Sequence, residues 1–164
     1  MPEARPVRLL ETLRPGHFLA LPPQEDRASV VRSLVRLLAD AGAVGAGRVP
    51  ALLRLVGERE KLGSTALGGG LAVPHARVSL PEAAVAAAVL RGSSEGWNPL
   101  DGTPVRVVFL LLSPKADDAC HAGLLGEISA LGRQAHRVKA LGGCRTPEEF
   151  SGALRGFVQA APGI

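Results

Sequence analysis

The residues of this chain with the chemistry to act as nucleophiles or metal ligands are few: four histidines, two cysteines and scattered serines. His75 stands out because it ends the run GGGLAVPH at 68–75. A neutral imidazole is a competent nucleophile near pH 7, where its ordinary pKa lies close by. Pro74 fixes φ and removes a donor, which stiffens the chain just before the histidine. With a glycine-rich turn upstream and Arg77 downstream, the sequence places His75 at an exposed strand end. A lone histidine closing an apolar strand is more often a satisfied structural residue, so both readings stand on the residues alone. His121 falls one turn into a helical segment, where it reads as a helix-surface histidine. Cys120 beside it invites a Cys-His pair, yet adjacent residues on a helix do not face each other.

Other chemistries lack a partner at the right spacing. His121 and His136 are fifteen residues apart, more than roughly 20 Å along one helix. His17 has no neighbour at ligand spacing, so no metal is expected. Ser64 and Ser79 flank His75, but there is no GxSxG elbow to make either a nucleophile. Neither GxGxxG nor GxxxxGK[ST] occurs, and no cofactor is expected. The three glycines allow a tight chain reversal, and they would also leave backbone N–H groups open to an anion.

The elements that must position these residues follow from periodicity and punctuation. HFLALPP (17–23) reads as a short strand closed by prolines. EDRASVVRSLVRLLADAG (25–42) carries Val30, Val31, Leu34, Leu37 and Leu38 on one helical face, with acids at its start and Gly42 after its last turn. RVPALLRLVGEREKLG (48–63) repeats the pattern through Leu52, Leu53, Leu55 and Val56. The segment STALGGGLAVPHARV (64–78) is loop, turn and strand, and PEAAVAAAVLRG (81–92) is taken as a strand by its place in the order. PLDGTPVRVVFLLLSP (99–114) holds an Asp101-Gly102 turn and then a β-branched apolar run. DDACHAGLLGEISALGRQAH (117–136) reads as one helix, with Leu124, Leu125, Ile128 and Leu131 aligned. TPEEFSGALRGFV (146–158) starts with a Thr cap and Pro at the first helical position. Alternating strands and helices give an α/β fold, one domain over 1–164 with a mixed sheet flanked by helices.

Composition narrows the function classes. The chain is 46% hydrophobic, 21% charged and 3% aromatic, with a formal charge of +4. Its arginines are dispersed from Arg5 to Arg155, and Arg27, Arg32 and Arg36 form at most one solvated helix face. With no Tyr and one Trp, it lacks the stacking platforms of single-strand binders. A small nucleic-acid-binding module is therefore supported only by the basic balance, which would equally steer an acidic protein partner. Cys120 and Cys144 read as buried free thiols in a reducing compartment. The opening MPEARPVRLLETLRPGHF is not a secretory signal, and no apolar run is long enough to span a bilayer. The expectation is a cytoplasmic protein.

Taken together, Arg59-Glu60, Gly63-Ser64-Thr65, GGGLAVPH at 68–75, DGTPVRVVFLLLSP at 101–114 and CHAGLLGEISAL at 120–131 resemble enzyme IIA of the fructose/mannitol class. These are phosphocarrier domains of the bacterial phosphoenolpyruvate-dependent sugar phosphotransferase system, and nitrogen-regulatory relatives share the pattern. The resemblance runs from about residue 8 to residue 158. It implies that His75 carries a phosphoryl group, and that His121 lies across the same pocket. Arg59 would contact the phosphoryl oxygens. Backbone N–H groups near the glycines would complete the cradle. It implies an HPr-type phosphocarrier as donor, and an enzyme IIB domain or regulatory target proteins as acceptors. No nucleic acid or membrane insertion is implied, though contact with a membrane permease complex is. Gly69-Gly70 replaces the more usual Asn-Gly, and Ala76 stands where glycine is common, which bears on how closely a partner approaches His75. A chain without fused IIB, IIC or HPr segments fits the nitrogen-regulatory branch better than the sugar-transport one.

Overall fold

A computed structural model describes residues 9–23, 26–92 and 94–160, with the side chains of 158–160 excepted. The opening residues 1–8, read above as part of a non-secretory N-terminus, lie outside the described residues. Two strands form the centre of the sheet. β5 (Ala84–Leu90) and β6 (Val107–Pro114) pair antiparallel with Ala84 opposite Leu112 and Val89 opposite Val107. Every residue of both strands is buried, as expected of strands covered by helices on both faces, where apolar runs are continuous rather than alternating. The four alanines of β5 keep its surface low, so that helices can approach it closely.

β1 (Phe18–Leu21) adds parallel to the free edge of β5. The other edge of β6 receives two short strands in sequence: β3 (Leu71–Ala72), opposite Val107 and Val108, and β4 (His75–Val78), opposite Leu111 to Pro114. Val73 and Pro74 bridge them, and the Pro74 carbonyl still accepts from Leu111 N–H at 3.0 Å. β2 (Ala66–Gly68) closes the edge antiparallel to β3. The sheet order is thus β1-β5-β6-β3-β2, with β4 also on β6. This is the mixed α/β fold expected from the order of the elements.

Alternation along the strands divides the core between the two faces. Ala86, Ala88, Leu110, Leu112, Ala76 and Val78 face α2 (Arg27–Asp40) and α3 (Val49–Lys61), whose Val30, Leu34, Leu38, Leu52 and Val56 fill that layer. Val85, Ala87, Phe109, Leu111 and Val73 face α1 (Leu9–Thr12), α4 (Asp118–Gly132), α5 (Ala135–Gly142) and α6 (Pro147–Ala160). Since His75 is two residues from Val73 along the same edge, its side chain falls on the α4 side.

Helix ends follow the chemistry read from the sequence. Asp26 caps α2 by accepting from Ser29 N–H at 2.8 Å, and Gly42 follows the helix at φ +79°. Thr146 Oγ1 accepts from Glu149 N–H at 3.1 Å to open α6. The segment 117–136, read as one helix, is two. Its last turn tightens as Gln134 N–H reaches the Leu131 carbonyl at 3.0 Å, and Gln134 leaves helical geometry at φ −121°, ψ 86°. α5 then starts in a new direction that buries Val138 and Leu141, so His136 belongs to α5 rather than α4.

Candidate functional site

The C-terminal half of β6, the short β4 beside it and the first turn of α4 bring the chemically capable residues together. His75 opens β4 and is 9% exposed, so the rim position expected from the glycines and Arg77 is corrected. Helices on both faces cover this strand, and Arg77 folds back onto α4 instead of marking open solvent. Nδ1 of His75 lies 2.8 Å from the Val73 carbonyl oxygen. A carbonyl can only accept, so Nδ1 carries the proton and Nε2 of the neutral ring keeps its lone pair. Burial lowers the pKa of His75. The hydrogen bond to Val73 opposes that shift, the Arg59 charge adds to it, and Glu60 works against it. The result is a neutral, oriented imidazole with one free nucleophilic nitrogen.

His121 comes to His75 from α4, with ring centroids 5.6 Å apart and planes tilted by 49°. It is half-buried against the sheet rather than a surface residue, and burial lowers its pKa, with further lowering from His75 and Arg77. Its Nδ1 is 2.6 Å from the hydroxyl of Ser113, a fully buried serine in β6. The Asp117 carboxylate caps α4 through Cys120 N–H at 2.9 Å, which fixes the turn that carries His121. Cys120 itself turns into the core beside Leu124, and burial raises its pKa, followed by Asp117. A Cys-His nucleophile is not built here.

Arg59 sits in the last turn of α3, half-buried, with Nη1 3.2 Å from the Gly63 carbonyl. It is near enough for its charge to bear on His75. Glu60, the next residue, turns inward. It is 7% exposed and accepts a hydrogen bond from the Thr65 hydroxyl. Its other oxygen lies 3.7 Å from Arg27 Nη1, a charge contact without a hydrogen bond, and is otherwise buried without a partner. The pair ties the end of α3 to the loop before β2, so Arg59 is carried on a fixed element. Arg77 is held by Asp118 and by the Lys115 carbonyl at 3.0 Å, joining β4 to the start of α4.

The glycines do not contribute to this site. Gly68, Gly69 and Gly70 all have positive φ and make the β2–β3 turn, which lies beside Val107 at the opposite end of β6. Gly69 N–H donates to Asp101 at 2.8 Å. A side chain at Gly69 would meet the Gly132 carbonyl oxygen at 2.8 Å. The run is glycine because the turn needs left-handed backbone and packs directly on the end of α4, not because it offers N–H groups to an anion near His75.

Sequence reasoning missed Ser113, the Glu60–Thr65 pair and the Val73 carbonyl. Ser113 was the one polar residue inside VVFLLLSP, a signal that could have been read. Among the described residues, no group of three or more His, Cys, Asp and Glu side chains converges as a metal site would require.

Known proteins share this arrangement of elements. The family model for the phosphoenolpyruvate-dependent sugar phosphotransferase system, EIIA 2, matches residues 13–155. The chain belongs to this EIIA family. A nitrogen regulatory protein of Pseudomonas aeruginosa is 33% identical over 131 residues, covering 76% of this chain and 80% of that protein. A fructose-specific EIIA component of Haloferax volcanii is 32% identical over 126 residues, covering 73% and 77%. The crystal structure of nitrogen regulatory protein IIA-Ntr from Neisseria meningitidis superposes with a TM-score of 0.76 at 27% identity, covering 89% of this EIIA chain and 98% of that one. IIA mannitol of Escherichia coli has the same fold, with a TM-score of 0.66 at 18% identity over 85% and 96%. Among the described residues, no helix of the EIIA chain is long and apolar enough to cross a membrane.

Proposed function

We propose that this EIIA protein is a phosphohistidine carrier in which Nε2 of His75 accepts a phosphoryl group from an HPr-type phosphohistidine donor. The observation that carries this reading is the hydrogen bond from His75 Nδ1 to the Val73 carbonyl, which leaves one lone pair on a neutral ring. In the transfer, the donor's N–P bond breaks as the bond from His75 Nε2 to phosphorus forms. The proton stays on Nδ1, donated in a hydrogen bond to the Val73 carbonyl, which stabilises the cationic ring that results.

Phosphoryl transfer is mostly positioning and stabilisation of charge spread over three oxygens. Arg59 would supply a planar, permanently charged fork for those oxygens. We assign the Ser113 hydroxyl as the donor to His121 Nδ1, which puts the proton of neutral His121 on Nε2 to serve as a donor to the same oxygens. Removing one such preorganised donor costs about 3 kcal/mol in comparable sites, on the order of a hundredfold in rate. No metal enters this scheme, since the phosphoryl group arrives on a protein. Residues from about 8 to 158 act as the one carrier domain, working in the cytoplasm.

The phosphoryl group then passes to an enzyme IIB domain, or its presence on His75 sets which regulatory target the protein binds. The nitrogen regulatory relatives support the second outcome. Incubation with phosphoenolpyruvate, enzyme I and HPr should give one acid-labile phosphoryl group per chain, absent in His75→Ala. Persistence of that label in the variant would reject the assignment. Capture of different partners by the unphosphorylated protein and by His75→Asp supports regulation. Restored sugar phosphorylation with a IIB–IIC permease would instead place the protein in transport.

A further inference from the structure

The excess positive charge of the chain is not evenly spread. At the end of β6 away from His75 lies a cleft of about 680 Å³ into which four separate segments each deliver a cation. Arg91 follows β5, Arg106 precedes β6, Lys139 is in α5, and Arg145 lies between α5 and α6. All four are exposed, and among the described residues none makes an ion pair or side-chain hydrogen bond. No described residue lining the cleft is acidic. Glu149, the nearby carboxylate of α6, is engaged by the Arg145 backbone N–H at 2.9 Å.

The backbone fixes this convergence. Arg91 N–H is bonded to the Leu21 carbonyl at 3.2 Å, and Arg106 donates to Gly70 and accepts from Leu90, both at 2.8 Å. Gly142 of α5 lies beside Arg106, within van der Waals reach of its Cβ. Four like charges lining one cleft with no described acidic residue among them make it a place that attracts anions. The floor beneath them is apolar, formed by Val89, Leu90 and the buried Cys144.

We infer that this cleft binds a small molecule carrying two or more phosphate groups. Its volume is in the range of small-ligand pockets and too large for a single phosphate to fill. Its concave shape and apolar floor suit a compact polyanion with an organic body better than the backbone of a nucleic acid, which needs an extended basic track. The site is separate from the phosphoryl chemistry. Val107, at the cleft end of β6, and Leu111, opposite His75, are four residues apart, roughly 13 Å at the rise of a strand.

Titration calorimetry of the full chain at low ionic strength, with pyrophosphate, ADP and a short DNA duplex as probes, tests this. Saturable one-to-one binding of pyrophosphate and ADP is expected, weakening as salt rises. Arg106→Gln with Lys139→Gln should weaken both at least tenfold without lowering Tm, while Arg106→Lys with Lys139→Arg and, separately, His75→Ala should stay within about twofold. Absence of saturable binding by either small ligand overturns the inference, as does a double Gln variant that binds as tightly as the parent. Duplex binding that pyrophosphate cannot displace would assign the patch to a nucleic acid instead. None of these results depends on whether His75 accepts a phosphoryl group.

Discussion

Replacing Ser113 by alanine isolates the support of His121 from His121 itself. Ser113 is fully buried, and its hydroxyl has His121 Nδ1 as its partner at 2.6 Å. Alanine leaves the β6 backbone and its register with Arg77 intact, and removes only that hydrogen bond. A neutral hydrogen bond of this kind has a net value of about 0.5–1.5 kcal/mol. If the bond acts by holding the proton on His121 Nε2, the loss falls on the transition state and slows transfer about 2- to 13-fold. His121→Ala removes the donor outright and should slow it about 100- to 1000-fold. Single-turnover transfer from a phosphorylated HPr-type donor, quenched in alkali, reads both. Adding Ser113→Ala to His121→Ala should slow the reaction no further, since the hydroxyl acts through that ring. A full additional loss in the double variant, or a Ser113→Ala defect as large as that of His121→Ala, would refute the reasoning.

Three further expectations concern the frame of the site. Gly69→Ala forces a side chain into left-handed backbone and against the Gly132 carbonyl. It should destabilise the fold by about 1–3 kcal/mol in urea unfolding, yet leave the transfer rate of the folded protein unchanged, because the turn is remote from His75. Thr65→Val deprives the buried Glu60 carboxylate of its hydrogen bond and should cost about 1–3 kcal/mol; the same substitution beside Glu60→Leu should cost less than half of that. Burial lowers the pKa values of His17, His75 and His121. The unfolded chain therefore takes up protons first as pH falls through about 6.5, and stability drops by at most about 1.4 kcal/mol per pH unit for each histidine. Urea midpoints should be flat with respect to these groups above about pH 7.5, and His17→Gln should reduce the slope below about 6.5.

Much of this architecture is legible in the residues because local chemistry and burial agree. The continuous VVFLLLSP run is β6, the Asp26 and Thr146 caps open α2 and α6, and the apolar stripes of α2 and α3 are their buried faces. PEAAVAAAVLRG is a strand despite its alanines, since pairing between β1 and β6 and burial on both faces override helix propensity. What was not legible depends on non-local placement. The break between α4 and α5 falls just after Leu131 and Gly132, and no proline marks it. The glycines and Arg77 pointed to an exposed histidine because sequence neighbours were taken as spatial neighbours. In the fold the glycines lie at the far end of β6, and Arg77 turns to Asp118. Ser113 and His121, eight residues apart across the β6–α4 turn, meet only once that turn is capped by Asp117. The four cations of the basic cleft likewise come from segments spread over more than fifty residues, which no run of the sequence reveals.

The central claim is that His75 Nε2 is the atom that takes the phosphoryl group, because Nδ1 is committed to the Val73 carbonyl. Phosphorus and nitrogen NMR of the 15N-labelled protein, phosphorylated through enzyme I and HPr, tests it most directly. One phosphohistidine is expected, at residue 75 and bonded through Nε2, and absent in His75→Ala. A phosphoryl group on Nδ1 of His75, or on His121, would contradict it.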